Sequence, residues 1–123
     1  MSHILIVDDD DSVRGMVATV LQSSGYTTSE APDGERAMLL LAETPPDLVL
    51  LDVHMGAVDG QAVLARIQAG SKVPVVIITA TANPQLRAQL LQEGAVACLG
   101  KPFRNEDLRQ TIATALGRPQ GPH

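Results

Sequence analysis

Short apolar runs that do not alternate with polar residues constrain the fold of this chain more than any other feature. Nearly continuous runs cover residues 4–7, 48–51, 75–78 and 95–99, and a weaker run covers residues 27–31. Strands that are buried on both faces have this pattern, because helices cover the two faces of a parallel sheet. The runs therefore predict five strands of a buried parallel sheet.

The segments between the runs have apolar residues at helical spacing, three or four residues apart. The clearest apolar stripe, in the first segment, consists of Val13, Met16, Val17, Val20 and Leu21. Strand and helix thus alternate about five times with short connections. This order predicts an α/β fold with helices on both faces of the sheet, joined by right-handed crossovers.

Residues that commonly begin and end helices occur where this alternation requires them. The candidate N-caps are Asp11 or Ser12 for the first helix, followed by Asp33, Asp59, Asn83 and Asn105. Helices are predicted to end near Gly25, Gly70, Gly94 and Gly117.

The length of the chain suits a single domain. Its 123 residues, 45% of them hydrophobic, are enough for one core and too few for two ordinary domains. We expect residues 1–118 to form this domain. Residues 119–123 contain two prolines and a glycine and are expected to be a tail or the beginning of a linker.

Composition and charge exclude several functional classes. The net charge of −5 makes the domain a poor partner for nucleic acid, so no direct nucleic-acid binding is expected. No apolar stretch approaches the length of a membrane span, and no signal peptide is visible. The single cysteine, Cys98, cannot form an internal disulfide. We therefore expect a cytoplasmic protein with no membrane partner.

Polar side chains of specific types follow four of the apolar runs. Asp8 and Asp9, the first of four consecutive aspartates, follow the first run, and Asp52 follows the third. Thr79 and Lys101 follow the fourth and fifth runs. Because the carboxyl ends of parallel strands meet at one edge of a sheet, these side chains are expected to lie together.

This combination of side chains suits one kind of chemistry. Two or three carboxylates bind a hard divalent cation such as Mg²⁺. A carboxylate beside the metal can attack phosphorus and form an aspartyl phosphate, while a lysine and a hydroxyl group neutralise the phosphoryl oxygens. The sequence therefore favours phosphoryl transfer to an aspartate.

The same residues also have structural interpretations. The consecutive aspartates could charge the N-terminus of the first helix, and Thr79 could be an ordinary strand residue. Lys101 could be a surface lysine. Asp52 is the hardest to explain in this way, because an unpaired carboxylate after four apolar residues would cost roughly several kcal/mol.

In order and position, these residues resemble the receiver domain of two-component response regulators, over residues 3–117. The matching segments are residues 4–9, 50–55, 59–60, 77–80 and 94–103. An acidic pair alone would be weak support, whereas acids, an aspartate, a threonine and a lysine that each end a strand are specific. The resemblance implies a flavodoxin-like (βα)5 fold with strand order 2-1-3-4-5.

The resemblance also implies a role for each site residue. Asp52 would be the nucleophile that takes a phosphoryl group from the phosphohistidine of a sensor histidine kinase or phosphotransfer protein. Asp9 would ligate Mg²⁺, with Asp8 holding metal-bound water, and Asp52 and the His54 carbonyl would complete the protein ligands. His54 is equally well explained as an exposed loop residue.

Two further residues complete the implied site. Thr79 would donate its hydroxyl to the phosphoryl group, and Lys101 would pair with a phosphoryl oxygen. The domain would be a signalling switch rather than a turnover enzyme, catalysing only its own phosphorylation and dephosphorylation.

The implied output surface departs from the family at one position. The face formed by the fourth helix, fifth strand and fifth helix would contact a downstream protein or a second copy in a homodimer. Most relatives have an aromatic residue on this face, three residues before the lysine, where this chain has Cys98. Cys98 itself is expected to be a small buried hydrophobic residue.

Two alternative functions remain for comparison. A receiver-like scaffold could bind partners independently of phosphorylation, and Cys98 is the only residue that favours it. A flavodoxin-like cofactor binder would need a glycine- or hydroxyl-rich phosphate loop after the first strand. Four aspartates occupy that place and would repel a phosphate that lacks a metal.

Overall fold

A computed structural model describes residues 2–52, 54–55, 58–79, 84–101 and 103–117 of the protein. The strands are β1 (His3–Val7), β2 (Thr27–Ala31), β3 (Leu48–Asp52), β4 (His54–Met55), β5 (Val58–Asp59), β6 (Val75–Thr79) and β7 (Ala97–Gly100). The helices are α1 (Asp11–Ser23), α2 (Gly34–Glu43), α3 (Gly60–Gly70), α4 (Pro84–Gln92) and α5 (Asn105–Ala115).

The main sheet has five strands in the order β2-β1-β3-β6-β7, and every neighbouring pair is parallel. Counted along the chain, these strands have the order 2-1-3-4-5, which confirms the expected fold. Val7 pairs with Leu51, and Thr79 pairs with Gly100. This register brings the carboxyl ends of β1, β3, β6 and β7 to the same edge of the sheet.

Two hydrophobic clusters cover the two faces of the sheet. Successive residues of each strand point to opposite faces, so Leu50 belongs to one cluster and Leu51 to the other. Residues of α1 and α5 pack in the Leu50 cluster, and residues of α2, α3 and α4 pack in the Leu51 cluster. The prediction of helices on both faces is therefore confirmed. Among the described residues, no helix has the length and apolar character needed to cross a membrane.

Several helix boundaries agree with the sequence and others differ by a residue or two. Asp33 is the N-cap of α2, and its side chain accepts a hydrogen bond from the Arg36 amide at 2.8 Å. Asp10, rather than Asp11 or Ser12, caps α1. Its Oδ1 accepts from the amides of Ser12 and Val13, so the cap lies one residue before Asp11 and two before Ser12. The predicted cap Asn83 lies outside the described residues.

The start of α5 differs from the prediction, whereas the end of α3 agrees with it. Asn105 is the first helical residue, and the N-cap is Arg104, which makes no side-chain capping bond. Gly70 is the last residue of α3, as predicted. The other predicted terminators, Gly25, Gly94 and Gly117, have positive φ angles, which glycine adopts without the cost a Cβ would bring.

Candidate functional site

Two buried carboxylates lie at the carboxyl edge of the sheet. Asp8 directly follows β1 and is 2% exposed, and Asp52 is the last residue of β3 and is 3% exposed. Asp9 is exposed beside them. Each of the three offers a carboxylate oxygen, and these oxygens all lie within 4.8 Å of one another. Because the strands that deliver them are adjacent and parallel, the sheet itself brings the acids together.

Lys101 bridges the two buried carboxylates. Its Nζ donates to Asp52 Oδ2 at 3.1 Å and to Asp8 Oδ2 at 3.4 Å. Burial alone would lower the pKa of Lys101, but the hydrogen bond and charge of Asp52, together with those of Asp8, raise it above its usual value. The ammonium group is therefore charged at neutral pH and partly offsets the negative charge of the site.

The position of Lys101 is fixed through the backbone. It directly follows β7, and its amide donates to the Thr79 carbonyl at 2.8 Å. Thr79 is the buried last residue of β6, the neighbouring strand. The end of β6 thus holds the residue whose ammonium group reaches the acids, and both predicted residues lie at the predicted edge.

The fold opposes the ionisation of the Asp8 carboxyl group. Burial raises its pKa, as does the neighbouring charge of Asp52, although the Asp10 amide and Lys101 act in the opposite direction. Burial is the largest of these effects. The metal-free site therefore holds more negative charge than its environment favours, which is the condition that a divalent cation relieves.

We expect Asp8→Asn to stabilise the metal-free protein at pH 7, since it removes a carboxylate whose charge the fold disfavours. Because the pKa of Asp8 is raised from its ordinary value of 3.8, the native state holds that proton more tightly, and the contribution of Asp8 to wild-type stability falls as pH rises above that value. The difference between variant and wild type should therefore shrink toward pH 3. Urea unfolding with EDTA at both pH values measures it.

Asp33→Asn is the matched control for this prediction. Asp33 is an exposed N-cap, and asparagine caps helices about as well as aspartate, so its stability should change little. An Asp8→Asn variant that is less stable than the wild type at pH 7 would contradict the prediction.

His54 is the predicted site residue about which the structure says least. Its backbone pairs with Asp59 in the short antiparallel ladder of β4 and β5, while its side chain lies outside what the structure describes. The structure does not test its carbonyl as a ligand, which stays a prediction.

Sequence reasoning missed Arg14, whose guanidinium contacts the loop that carries Asp8. Its Nη1 donates to the Asp8 carbonyl at 2.7 Å. The only signal in the sequence is an arginine in the first turns of the helix that follows the acids, and this position is too common among helices to single out a contact with the preceding loop.

The opposite end of β7 belongs to a separate groove between α4 and α5. A cavity of about 510 Å³ is lined there by residues that include Arg87, Leu91, Val96, Cys98 and Thr111. Cys98 is buried, as predicted, and burial raises the pKa of its thiol. Arg87 Nη2 donates to the Cys98 carbonyl at 2.7 Å and ties α4 to β7.

Comparison with known proteins agrees with this geometry. The chain is 37% identical over 115 residues to the probable transcriptional regulator ycf27 of Guillardia theta, with 94% of this chain and 45% of that protein covered. It is 40% identical over 116 residues to part of the sensor histidine kinase RcsC of Salmonella typhi, with 94% of this chain and 12% of that protein covered. The chain thus spans less than half the length of both curated relatives.

The solved receiver domain of NtrX from Brucella abortus superposes with a TM-score of 0.88 at 32% identity, with 93% of this chain and 98% of that chain covered. Residues 4–113 match the family described as the response regulator receiver domain. Both the match and the superposition extend over nearly the whole sheet and its helices. The chain belongs to the response regulator receiver domain family.

Proposed function

We propose that this domain is a phosphoacceptor switch, in which Asp52 takes a phosphoryl group from a phosphohistidine. The observation that carries the proposal is the position of Lys101 Nζ, which contacts two buried carboxylates, Asp8 and Asp52, from a different strand. Burying two acids beside one lysine costs desolvation energy that a single ion pair repays poorly, and such clusters are characteristic of functional sites.

The donor set fits Mg²⁺. The carboxylates of Asp8, Asp9 and Asp52 are hard oxygen ligands whose atoms lie within 4.8 Å of one another, and the His54 carbonyl would add a fourth. In this proposal Asp9 ligates the cation directly and Asp8 orients metal-bound water. A bound cation would offset the negative charge of the phosphoryl oxygens.

The proposed transfer is a displacement at phosphorus. An Asp52 oxygen forms a bond to phosphorus, the bond between phosphorus and the donor nitrogen breaks, and its electron pair stays on the imidazole ring. Lys101 already lies 3.1 Å from Asp52 Oδ2 and would pair with a phosphoryl oxygen. Thr79 would donate its hydroxyl from the end of the adjacent strand. In the proposed dephosphorylation, a water oxygen would bond to phosphorus and the bond between phosphorus and the Asp52 oxygen would break, so that the carboxylate is restored and inorganic phosphate leaves.

The proposed phosphodonor is a sensor histidine kinase or a phosphotransfer protein. Similarity to part of a protein named a sensor histidine kinase supports this class of donor. We further propose that the face formed by α4, β7 and α5 contacts a downstream protein or a second copy of the chain. The proposed domain spans residues 1–118, with residues 119–123 as a tail or linker. We also propose that it acts in the cytoplasm and does not bind nucleic acid directly.

The alternative, a scaffold that binds partners independently of phosphorylation, rests on Cys98 alone. Cys98 lines the groove between α4 and α5, and it does not belong to the cluster of Asp8, Asp9 and Asp52. The complete set of acids, threonine and lysine favours the phosphoacceptor.

Intact-mass analysis after incubation with acetyl phosphate tests the proposal. We expect one added phosphoryl group in the presence of Mg²⁺ and none when EDTA replaces it. If no adduct forms, binding of Mg²⁺ with beryllofluoride is measured next, because rapid self-dephosphorylation can hide a competent site. Failure of both measurements would contradict the proposed switch and favour the scaffold.

A further inference from the structure

Arg14 connects the loop after β1, helix α1 and strand β2 at the edge of the sheet that carries Asp8, Asp9 and Asp52, here called the acidic edge. Its side chain is 13% exposed. Besides the bond from Nη1 to the Asp8 carbonyl, its Nε donates to Glu30 Oε1 at 3.2 Å and its Nη2 donates to Asp11 Oδ1. Guanidinium has five N–H donors in a planar fork, so one side chain can serve three acceptors at once. The loop after β1 is thereby tied to α1 and to the end of β2.

The contact with Asp8 fixes the orientation of a peptide group. The Asp8 amide donates to the Ala31 carbonyl at 3.1 Å, and Asp8 Oδ1 accepts from the Asp10 amide at 2.9 Å. The amide and the carboxylate of Asp8 thus have backbone partners, and the partner of its carbonyl is the Arg14 side chain. Because the peptide bond is planar, holding that carbonyl also sets the direction in which the chain continues to Asp9.

The positive charge of Arg14 is balanced by two carboxylates that do not belong to the acidic cluster of Asp8, Asp9 and Asp52. Burial alone would lower the pKa of Arg14, but hydrogen bonds and charge from Asp11 and Glu30 raise it. The guanidinium is therefore always charged and has two carboxylates of its own. Arg14 therefore acts on Asp8 and Asp9 mainly by holding their backbone in place and not by neutralising their charge.

We propose that Arg14 is a positioning residue for the divalent cation: it holds the peptide group between Asp8 and Asp9 against β2, so that both carboxylates keep the geometry that Mg²⁺ requires. Mg²⁺ tolerates little departure from octahedral coordination, so an error in the ligand loop weakens binding directly. This inference rests on the proposed function, because it assumes that the acidic cluster binds Mg²⁺.

Calorimetric titration of the full chain with Mg²⁺ tests the inference with Arg14→Ala and Arg14→Lys. We expect Arg14→Ala to raise the Kd for Mg²⁺ about tenfold, the usual order for losing a charged hydrogen-bond donor. Arg14→Lys keeps the charge and loses the fork, so its Kd should stay about threefold above the wild type. Phosphorylation by acetyl phosphate at saturating Mg²⁺ should stay within about twofold of the wild type, because the hydrogen bonds described for Arg14 go to Asp8, Asp11 and Glu30.

Two further variants separate position from general stability. Arg109→Ala removes another arginine with a side-chain hydrogen bond, from Nε to Ser24 Oγ at 3.0 Å, and should leave the Kd unchanged. Glu30→Ala removes one anchor of Arg14 and should raise the Kd by about threefold. In the Arg14→Ala background it should add nothing, because Glu30 acts through Arg14.

Three outcomes would overturn the inference. The first is a Kd for Arg14→Ala equal to that of the wild type, whether or not its melting temperature without metal falls. The second is full recovery by Arg14→Lys, which would show that charge alone matters. The third is a Glu30→Ala effect that is undiminished in the double variant. If Arg14→Ala does not fold, Arg14→Lys and Glu30→Ala decide the question.

Failure of the proposed function has a different signature. A wild-type protein that binds no Mg²⁺ would overturn both the switch and this inference. A wild-type protein that binds Mg²⁺ and takes a phosphoryl group, beside an Arg14→Ala variant that binds Mg²⁺ equally well, would overturn this inference alone.

Discussion

Asp52→Asn is expected to abolish the phosphoryl adduct formed with acetyl phosphate and Mg²⁺. The amide that replaces the carboxylate has no anionic oxygen to attack phosphorus, and it removes one of the three carboxylates of the acidic cluster. The variant should still fold, because Lys101 keeps its contact with Asp8. Intact-mass analysis measures the adduct, and circular dichroism checks the fold.

Asp47→Asn is the matched control for that loss. Asp47 is exposed and precedes β3, at the opposite end of the same strand, where its Oδ2 accepts from the His3 amide at 2.7 Å. Its adduct should equal that of the wild type. An adduct that persists in Asp52→Asn and maps to Asp9 or another residue would refute the assignment of the nucleophile.

Leu50→Ala should have the largest effect on stability, lowering the free energy of unfolding by about 3 kcal/mol. Leu50 is 1% exposed in the middle of β3, the central strand, and packs in the cluster that also contains residues of α1 and α5. Truncation removes buried methyl groups and leaves a cavity. Because β3 is hydrogen-bonded to a strand on each side, it cannot shift to fill that cavity. Urea unfolding, without metal, measures the change.

Leu39→Ala is the corresponding exposed control. Leu39 lies on α2 and is 52% exposed, and alanine is the better helix former, so the free energy of unfolding should change by no more than about 0.5 kcal/mol. A loss at Leu39 as large as that at Leu50 would contradict the assignment of the core.

The sequence predicted the acidic edge because the signal there is local. Asp52 and Thr79 each end a buried apolar run. In a parallel sheet the carboxyl ends of the strands lie at the same edge, so the end of a run predicts the position of the residue. The cap of α1 was misplaced because consecutive aspartates offer the same side chain at successive positions, and only backbone geometry decides that Asp10 is the cap. The ladder of β4 and β5 was missed because two-residue strands have no period to detect.

The contacts of Arg14 could not be predicted for a different reason. Glu30 lies 16 residues further along the chain, and the two meet because β2 pairs beside β1. Hydrophobic periodicity predicts which elements exist, but not which long polar side chains meet once the elements pack. The role of the His54 carbonyl as a ligand stays a prediction.

The bond between Arg87 and the Cys98 carbonyl has a consequence for how this molecule can associate. β7 is one of the two outer strands of the sheet, and outer strands are the places where a foreign strand can add by backbone hydrogen bonding. A guanidinium from α4 already occupies a carbonyl of this short strand. An incoming chain that extended the sheet would have to displace it, so partners at this border are expected to dock through side chains on the flanking helices.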